Sequence, residues 1–329
     1  MAIRSLKRIV PPNALEGFFL VVLVAGMTVV LAILLNMMMP QMVAQGTAAV
    51  TLYTLLGFFL YTNIITNMAM CILVDPRADP KRMALELELA GGGKGWHECT
   101  ECQMWVPPRS RHCRICAVCV LKRDHHCILT GCCVGHHNYR YFFYFVLYMF
   151  LASAISFVVG LDFVYVHRAG NFEFFPIYVS LFVIVIIMSL LFMVMSGCIL
   201  YKQWPAIRYG ATSLEAEAHN FQYNLGVLGN LRMFLGKWMV LTWISPFIPS
   251  PLPLDGVHWE VTNREKLSSN QRNRQLSQKK TEKGAARDSK NGGTWLWATP
   301  KLTPGQTKAR KEHTRMAMDE GQEGGEMIK

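Results

Sequence analysis

The sequence predicts an α-helical polytopic membrane protein: four transmembrane helices, with a cysteine-rich domain between the second and third. Three observations predict it. Four long apolar runs each approach the ~20 residues a bilayer span requires. Eight of the ten cysteines lie between Cys99 and Cys133. Lysine and arginine crowd one set of connecting segments and almost vanish from the other. Hydrophobic residues make up 52% of the 329-residue chain, well above an ordinary globular domain.

The first run spans Gly17 to Leu35 and the second Ala48 to Val74, both uncharged. The third begins after Arg140 and is uncharged until Asp162; the fourth runs from Pro176 to Tyr201. Arg4, Lys7 and Arg8 precede the first span, and the link from Asn36 to Thr47 carries no charge. The segment between spans two and three is rich in Lys and Arg, whereas the link between three and four has only Arg168. The positive-inside rule therefore puts both termini and residues 75–140 in the cytosol. No small-residue cleavage pattern follows the first run, which reads as a retained signal anchor.

The chain divides accordingly. Residues 1–74 hold the N-terminal segment and spans one and two, residues 75–140 the cysteine-rich domain, and residues 141–201 spans three and four. Residues 202–261 form a cytosolic helix and an interfacial segment, and residues 262–329 a basic tail. Asp75-Pro76-Arg77 ends the second span, and a short helix is expected over Lys81 to Ala90 before Gly91-Gly92-Gly93 breaks it. The chain returns to the cytosol at Lys202, and Thr212 to His219 reads as a short helix capped by Thr212 or Ser213. Leu231 to Leu254 is apolar but punctuated by four prolines, which favours an interfacial segment over a fifth span. The tail has few Leu, Ile, Val or Phe and is expected to be disordered. Its one apolar spot is Trp295-Leu296-Trp297. No internal repeat is apparent.

The net charge of +11 suits an anionic lipid surface, and no nucleic-acid module is present. A channel or transporter would place ionisable groups within its spans; these spans have essentially none.

The cysteines come in close sets: Cys99-x2-Cys102, His112-Cys113-x2-Cys116-x2-Cys119, His125-His126-Cys127 and Cys132-Cys133. Cytosolic thiols favour metal binding or catalysis over disulfides. Structural zinc takes four sulfur or imidazole ligands in a tetrahedron, so eight ligands make two sites. Two sites of three cysteines and one histidine leave two thiols uncommitted. A spare thiol beside His125 and Asp124, near Lys122 and Arg123, has the makings of a nucleophile, a base and an orienting carboxylate. Spacing alone leaves open whether Cys127 is spare or a ligand.

The segment resembles the cysteine-rich domain of DHHC-family protein acyltransferases. The resemblance is carried by Cys99, Cys102, Pro107-Pro108-Arg109, His112-Cys113, Cys116, Cys119, Asp124 to Cys127, Cys133, Asn138 and Phe142, and it covers residues 10–255. It implies one structural zinc on Cys99, Cys102, His112 and Cys119, and a second on Cys113, Cys116, His126 and Cys133. It leaves Cys127 as nucleophile, His125 as general base and Asp124 as its orienting group. It further implies two-step transfer of a long-chain acyl group from acyl-CoA, palmitoyl-CoA above all, to cytosolic cysteines of membrane-associated proteins. The expected location is the endoplasmic reticulum or Golgi.

Arg109, Arg111, Lys122, Arg123 and Arg140 are the candidates for meeting CoA phosphates. Ala152, Ser153, Ala154, Ser156 and Gly160 serve either an acyl cavity or close helix packing. Weaker family elements are altered: Asp75-Pro76-Arg77, Thr212-Ser213-Leu214-Glu215, and Ile128 to Cys132 after the nucleophile, where many members have Pro-Trp-Val-Asn-Asn. Asn230 and Phe234 match the C-terminal element. A catalytically weak scaffold of the same family is the alternative reading.

Overall fold

The computed structural model describes residues 3–5, 8–42, 47–90, 95–167, 175–259 and 261. The chain forms two units, Met1–Arg264 and Glu265–Lys329. The second unit, with the expected disordered tail and its tryptophan pair, lies outside the described residues, as do Gly91 to Gly93 and Arg168.

Four helices among the described residues are long and apolar enough to cross a membrane. They are α1 (Ala14–Met42), α2 (Thr47–Leu73), α4 (Tyr139–His167) and α5 (Phe175–Tyr209), with the short α3 (Pro80–Ala90) after α2. They fit a multi-pass membrane protein. Helix α4 packs on α2 and α5, and α1 closes the bundle against α2 and α5. Asn13 starts α1: its Oδ1 accepts the Glu16 N–H at 2.9 Å, and its Nδ2 donates to Glu16 Oε1 at 2.8 Å.

Two boundaries differ from the sequence reading. Helix α4 already begins at Tyr139, so Arg140 lies inside its first turn. Helix α5 does not end near Tyr201 but runs through Lys202, Pro205 and Arg208 to Tyr209. The stop is Gly210 at φ +62, a left-handed position suited to glycine. A Cβ there would lie 2.7 Å from Asn230 Oδ1.

The cysteine-rich domain consists of three antiparallel hairpins: β1–β2 (His97–Cys99, Met104–Val106), β3–β4 (Arg111–Cys113, Val118–Val120) and β5–β6 (His125–Cys127, Cys132–Val134). Each has three paired positions, and the register recurs at one constant offset along the chain: Cys99↔Met104, Cys113↔Val118, Cys127↔Cys132. The turn residue before each second strand is left-handed in all three: Gln103 at φ 50, Ala117 at φ 53, Gly131 at φ 60. The domain therefore contains an internal repeat that the sequence reading did not find. Outside the cysteines and histidines few residue types recur from unit to unit, so the repeat lies in spacing and backbone.

The hairpins are tied to the bundle by backbone bonds. Ala78 N–H donates to Cys119 O at 2.9 Å and Leu121 N–H to Pro76 O at 3.0 Å. The buried Asn138 donates to Cys71 O and Cys133 O, both at 2.9 Å, and accepts Gly135 N–H at 2.9 Å. One side chain thus joins the end of α2, strand β6 and the start of α4.

Beyond α5, Thr212 caps the short α6 (Ser213–Glu217) with a reciprocal capping box to Glu215. Helix α7 (Gly226–Leu235) buries Asn230 and Phe234. Asn230 accepts Leu225 N–H and donates to Ile207 O and Asn224 Oδ1. Trp238, Val240, Leu241, Trp243, Ile244 and Phe247 then stand exposed around a single 3-10 turn, with no helix of membrane-crossing length.

Candidate functional site

The repeat explains how the ligands gather. In each of the first two hairpins a cysteine ending the first strand and the second cysteine of its Cys-x2-Cys point to one centre. The next hairpin supplies a histidine and a cysteine to that centre. This assembles Cys99, Cys102, His112 and Cys119, and, one repeat along, Cys113, Cys116, His126 and Cys133. The two sets have matching geometry. His112 Nδ1 lies 3.7 Å from Cys99 Sγ and 3.2 Å from Cys102 Sγ; His126 Nδ1 lies 3.7 Å from Cys113 Sγ and 3.2 Å from Cys116 Sγ. Cys102 to Cys119 and Cys116 to Cys133 are each 3.7 Å between sulfurs. A tetrahedron with metal–sulfur bonds of about 2.3 Å has edges of roughly 3.8 Å. Donor type, number and spacing all fit zinc, and a closed four-ligand shell makes its role structural.

The third hairpin breaks the pattern. Cys127 occupies the position of Cys99 and Cys113. The other three positions of a third set would be Thr130, Arg140 and Leu147. None of these is a thiol, imidazole or carboxylate, so the repeat gives Cys127 no third set, and it belongs to neither metal set found among the described residues. That gives a physical reason for a spare thiol which spacing had left undecided.

Around Cys127 the neighbours are specific. Asp124 Oδ2 lies 2.8 Å from His125 Nδ1. Asp124 is itself held by Ser213, whose N–H donates to Oδ1 at 2.8 Å and whose Oγ donates to Oδ2 at 3.0 Å. Burial pushes the Asp124 carboxyl up, but the bonds from His125 and Ser213 outweigh it and hold the carboxyl below its ordinary range. Burial likewise lowers His125, yet hydrogen bonds to Asp124 and Cys127 raise it to about 10. The ring of Phe142 meets His125 edge-on, with centroids 5.0 Å apart. Cys127 is 6% exposed and faces the bundle core with Cys71 and Cys132. Cys132, the extra thiol, is buried across the hairpin from Cys127 and bonded to Thr130 Oγ1 at 3.3 Å.

Four of the five cations expected at CoA phosphates have other surroundings. Arg109 makes a two-pronged pair with Glu215 at 2.8 and 2.7 Å, donates to Gly210 O, and stacks on Tyr223 and Trp259. Lys122 is buried against Tyr139 and Trp259. Arg140 is buried, bonded to Ser250 O and Tyr141 Oη. Arg123 is half-buried with its guanidinium toward the Cys133 and Cys113 sulfurs. Only Arg111 of the five is exposed. Their burial has a simple cause: a small metal-held domain has little apolar interior, so long cationic stems fill it and find internal acceptors.

The small residues of α4 divide between the two uses left open. Ala152, Ser153 and Ser156 line a cavity of about 140 Å³ enclosed by α1, α2, α4 and α5. Gly160 instead lets α5 approach, since a Cβ there would lie 2.9 Å from Ile186 Cγ1. The cavity starts at Met149 on α4, about 10 Å along the helix from Phe142.

Two contributors were missed in the sequence. Ser213 was read as a possible cap and as part of the altered element Thr212-Ser213-Leu214-Glu215, yet it holds Asp124. Glu16 stands just before the first apolar run and reaches His126; its visible signal, an Asn-x-x-Glu capping pattern, speaks of helix ends.

A family model described as DHHC palmitoyltransferase matches residues 93–220. A protein of Danio rerio named probable palmitoyltransferase ZDHHC24 is 30% identical over 233 residues, covering 62% of this chain and 74% of the relative. Its Homo sapiens namesake is 30% identical over 238 residues, 66% of this chain and 81% of the relative. Probable protein S-acyltransferase 15 of Arabidopsis thaliana is 28% identical over 241 residues, 67% of this chain and 92% of the relative.

Proposed function

Because this chain belongs to the DHHC palmitoyltransferase family, we propose that it is a protein-cysteine S-acyltransferase working through an acyl-enzyme on Cys127. The observation that carries the reading is the Asp124–His125 pair beside a thiol that no metal set uses. Cys127 Sγ attacks the thioester carbon of a long-chain acyl-CoA, and the C–S bond to CoA breaks. His125 takes the Cys127 proton and passes it to the leaving CoA sulfur. A cysteine thiol of a membrane-associated protein then attacks the acyl-enzyme, again losing its proton through His125, and Cys127 is regenerated. Asp124 keeps His125 in one tautomer and orientation, and Ser213 keeps Asp124 in place.

The zinc ions hold the hairpins together and take no part in the transfer. The acyl chain extends from Cys127 into the cavity between the helices. Both termini and the hairpins face the cytosol, residues 231–254 rest in the membrane interface, and the membrane is that of the endoplasmic reticulum or Golgi. Arg111 remains the cation to test against CoA.

The test is incubation of detergent-purified protein with labelled acyl-CoA of several chain lengths. Wild type acquires a hydroxylamine-sensitive label and Cys127→Ser does not. A wild-type protein no better labelled than Cys127→Ser turns the reading to a non-catalytic scaffold.

A further inference from the structure

The second metal cluster has an outer carboxylate supplied by a membrane helix. Glu16, in the first turn of α1, is 4% exposed, and both its oxygens lie 3.2 Å from His126 Nε2. The other imidazole nitrogen, Nδ1, is the one turned to Cys113, Cys116 and Cys133. A buried carboxylate at the head of an apolar span is costly without a partner. Its partners are Asn13, through Nδ2 and a backbone bond that uses the capping pattern, and His126. Capping accounts for the first contact but not for the second.

We infer that Glu16 is a positioning residue of the second zinc site. It accepts the Nε2–H of His126, fixes the tautomer that leaves the Nδ1 lone pair for zinc, and fastens hairpin β5–β6 to α1. Carboxylates behind metal-bound histidines act in this way, and their loss typically weakens metal binding by about 10- to 100-fold. The inference rests on zinc filling the Cys113, Cys116, His126, Cys133 cluster.

The consequence reaches the nucleophile. His126 stands between His125 and Cys127 in a three-residue strand, so anchoring it limits the backbone movement open to both neighbours. The N-terminal segment grips the same hairpin at two further points. Arg4 Nη2 reaches Cys133 O at 3.5 Å. Pro11 lies against the turn, where a Cβ on Gly131 would come within 3.0 Å of Pro11 Cβ. These contacts make α1 and the segment before it a reference surface for hairpin β5–β6, and Glu16 is the one that reaches a residue of the metal set, His126.

The experiment compares wild type, E16A, E16Q and N13A, each purified in detergent. Zinc release to a chromophoric chelator is followed in time, with mass spectrometry of the cysteines that become alkylated. The expected result for E16A is that one of two zinc ions leaves about 10- to 100-fold faster. Cys113, Cys116 and Cys133 should be alkylated early, while Cys99, Cys102 and Cys119 keep wild-type protection. E16Q keeps an acceptor oxygen and the shape of the cap, so it should fall between, and it gives the reading if E16A does not fold. N13A removes the cap and the Nδ2 bond to Glu16 Oε1 but leaves the carboxylate on His126, so its zinc release should stay closer to wild type than that of E16A. Two zinc ions in wild type with unchanged release in E16A and E16Q overturn the inference alone. Fewer than two zinc ions in wild type overturn the zinc reading and the inference together.

Discussion

The two metal clusters share ligands, spacing and distances, yet they sit in different surroundings. The first packs against α3 and the segment after α7, through Met83, Val106, Leu121 and Val257. Its His112 Nε2 is buried and finds no hydrogen-bond partner among the described residues. The second packs with Val118 and Val120, and its His126 Nε2 is held by Glu16 of a membrane helix. The difference separates two tasks that metal binding alone would merge. The first cluster closes the domain on itself. The second also ties hairpin β5–β6 to α1, and its histidine is the sequence neighbour of His125 and Cys127, the proposed base and nucleophile.

The sharpest way to break this comparison uses equivalent positions in the repeat. Cys113→Ser removes a ligand, and structural zinc in small domains contributes about 10–16 kcal/mol of apparent binding energy. We expect that variant to lose close to one zinc ion per chain and to unfold at lower temperature. Cys127→Ser, at the same place in the next hairpin, should keep both ions and wild-type thermal stability while losing the acyl label entirely. Metal analysis beside a thermal melt checks both, and loss of zinc from Cys127→Ser would contradict its assignment as the unpartnered member of the series.

Next in size is Asp124→Asn. An amide cannot hold His125 in the required tautomer as a carboxylate does, so acyl-enzyme formation should slow by about 10²- to 10⁴-fold, with zinc content unchanged. Ser213→Ala removes one of two bonds to Asp124 and leaves the backbone donor. A bond to a charged carboxylate, about 1.5–3 kcal/mol, limits its effect to roughly 10- to 150-fold. Rapid-quench labelling with acyl-CoA distinguishes the two. Equal rates for D124N and wild type would show that His125 needs no orienting partner.

The sequence made the spans and the presence of two metal sets legible, because apolar length and cysteine spacing are local signals; which ligands pair, and that Cys127 is the spare thiol, came only with the family resemblance. The repeat was hidden because its units share a backbone path more than residue types: Gln103, Ala117 and Gly131 occupy one conformation. Glu16 and Ser213 were hidden for another reason. Their partners lie 110 and 89 residues away, and a capping pattern explains each of them locally before any long-range contact is considered. The burial of four of the five candidate cations was not legible because charge in a sequence suggests a solvent-facing side chain. Here Arg109 meets Glu215, a pairing that only the fold brings together.

The three turns offer a smaller comparison. All adopt positive φ, but only the third has glycine. Gly131→Ala should destabilise by about 1 kcal/mol from backbone strain alone, and more because Pro11 fills the space beside it. Ala117→Gly should do the reverse, gaining up to about 1 kcal/mol from relieved strain, offset in part by the freer unfolded chain. Opposite shifts in thermal unfolding midpoint are the expected outcome. Shifts of the same sign would mean that contacts, not the shared backbone path, govern these turns.

The smallest effect lies in the linkers between hairpins. Pro108 holds, after the first hairpin, the place that Lys122 holds after the second. Burial first, and Arg109 second, hold the Lys122 ammonium down to about 7 from its ordinary 10.5. An unfolded lysine keeps its proton up to the higher value, so between the two the unfolded state binds more protons than the folded one. Stability contributed at this site is therefore absent below pH 7, grows as pH rises through the window, and is complete above 10.5. Lys122→Met keeps an apolar stem and removes the charge. The difference in melting temperature between K122M and wild type should be largest near pH 7, with the variant the more stable, and should shrink toward pH 10. A difference that stays constant over that range would mean that Lys122 holds its proton in the folded protein, with Tyr139 and Trp259 compensating for its burial.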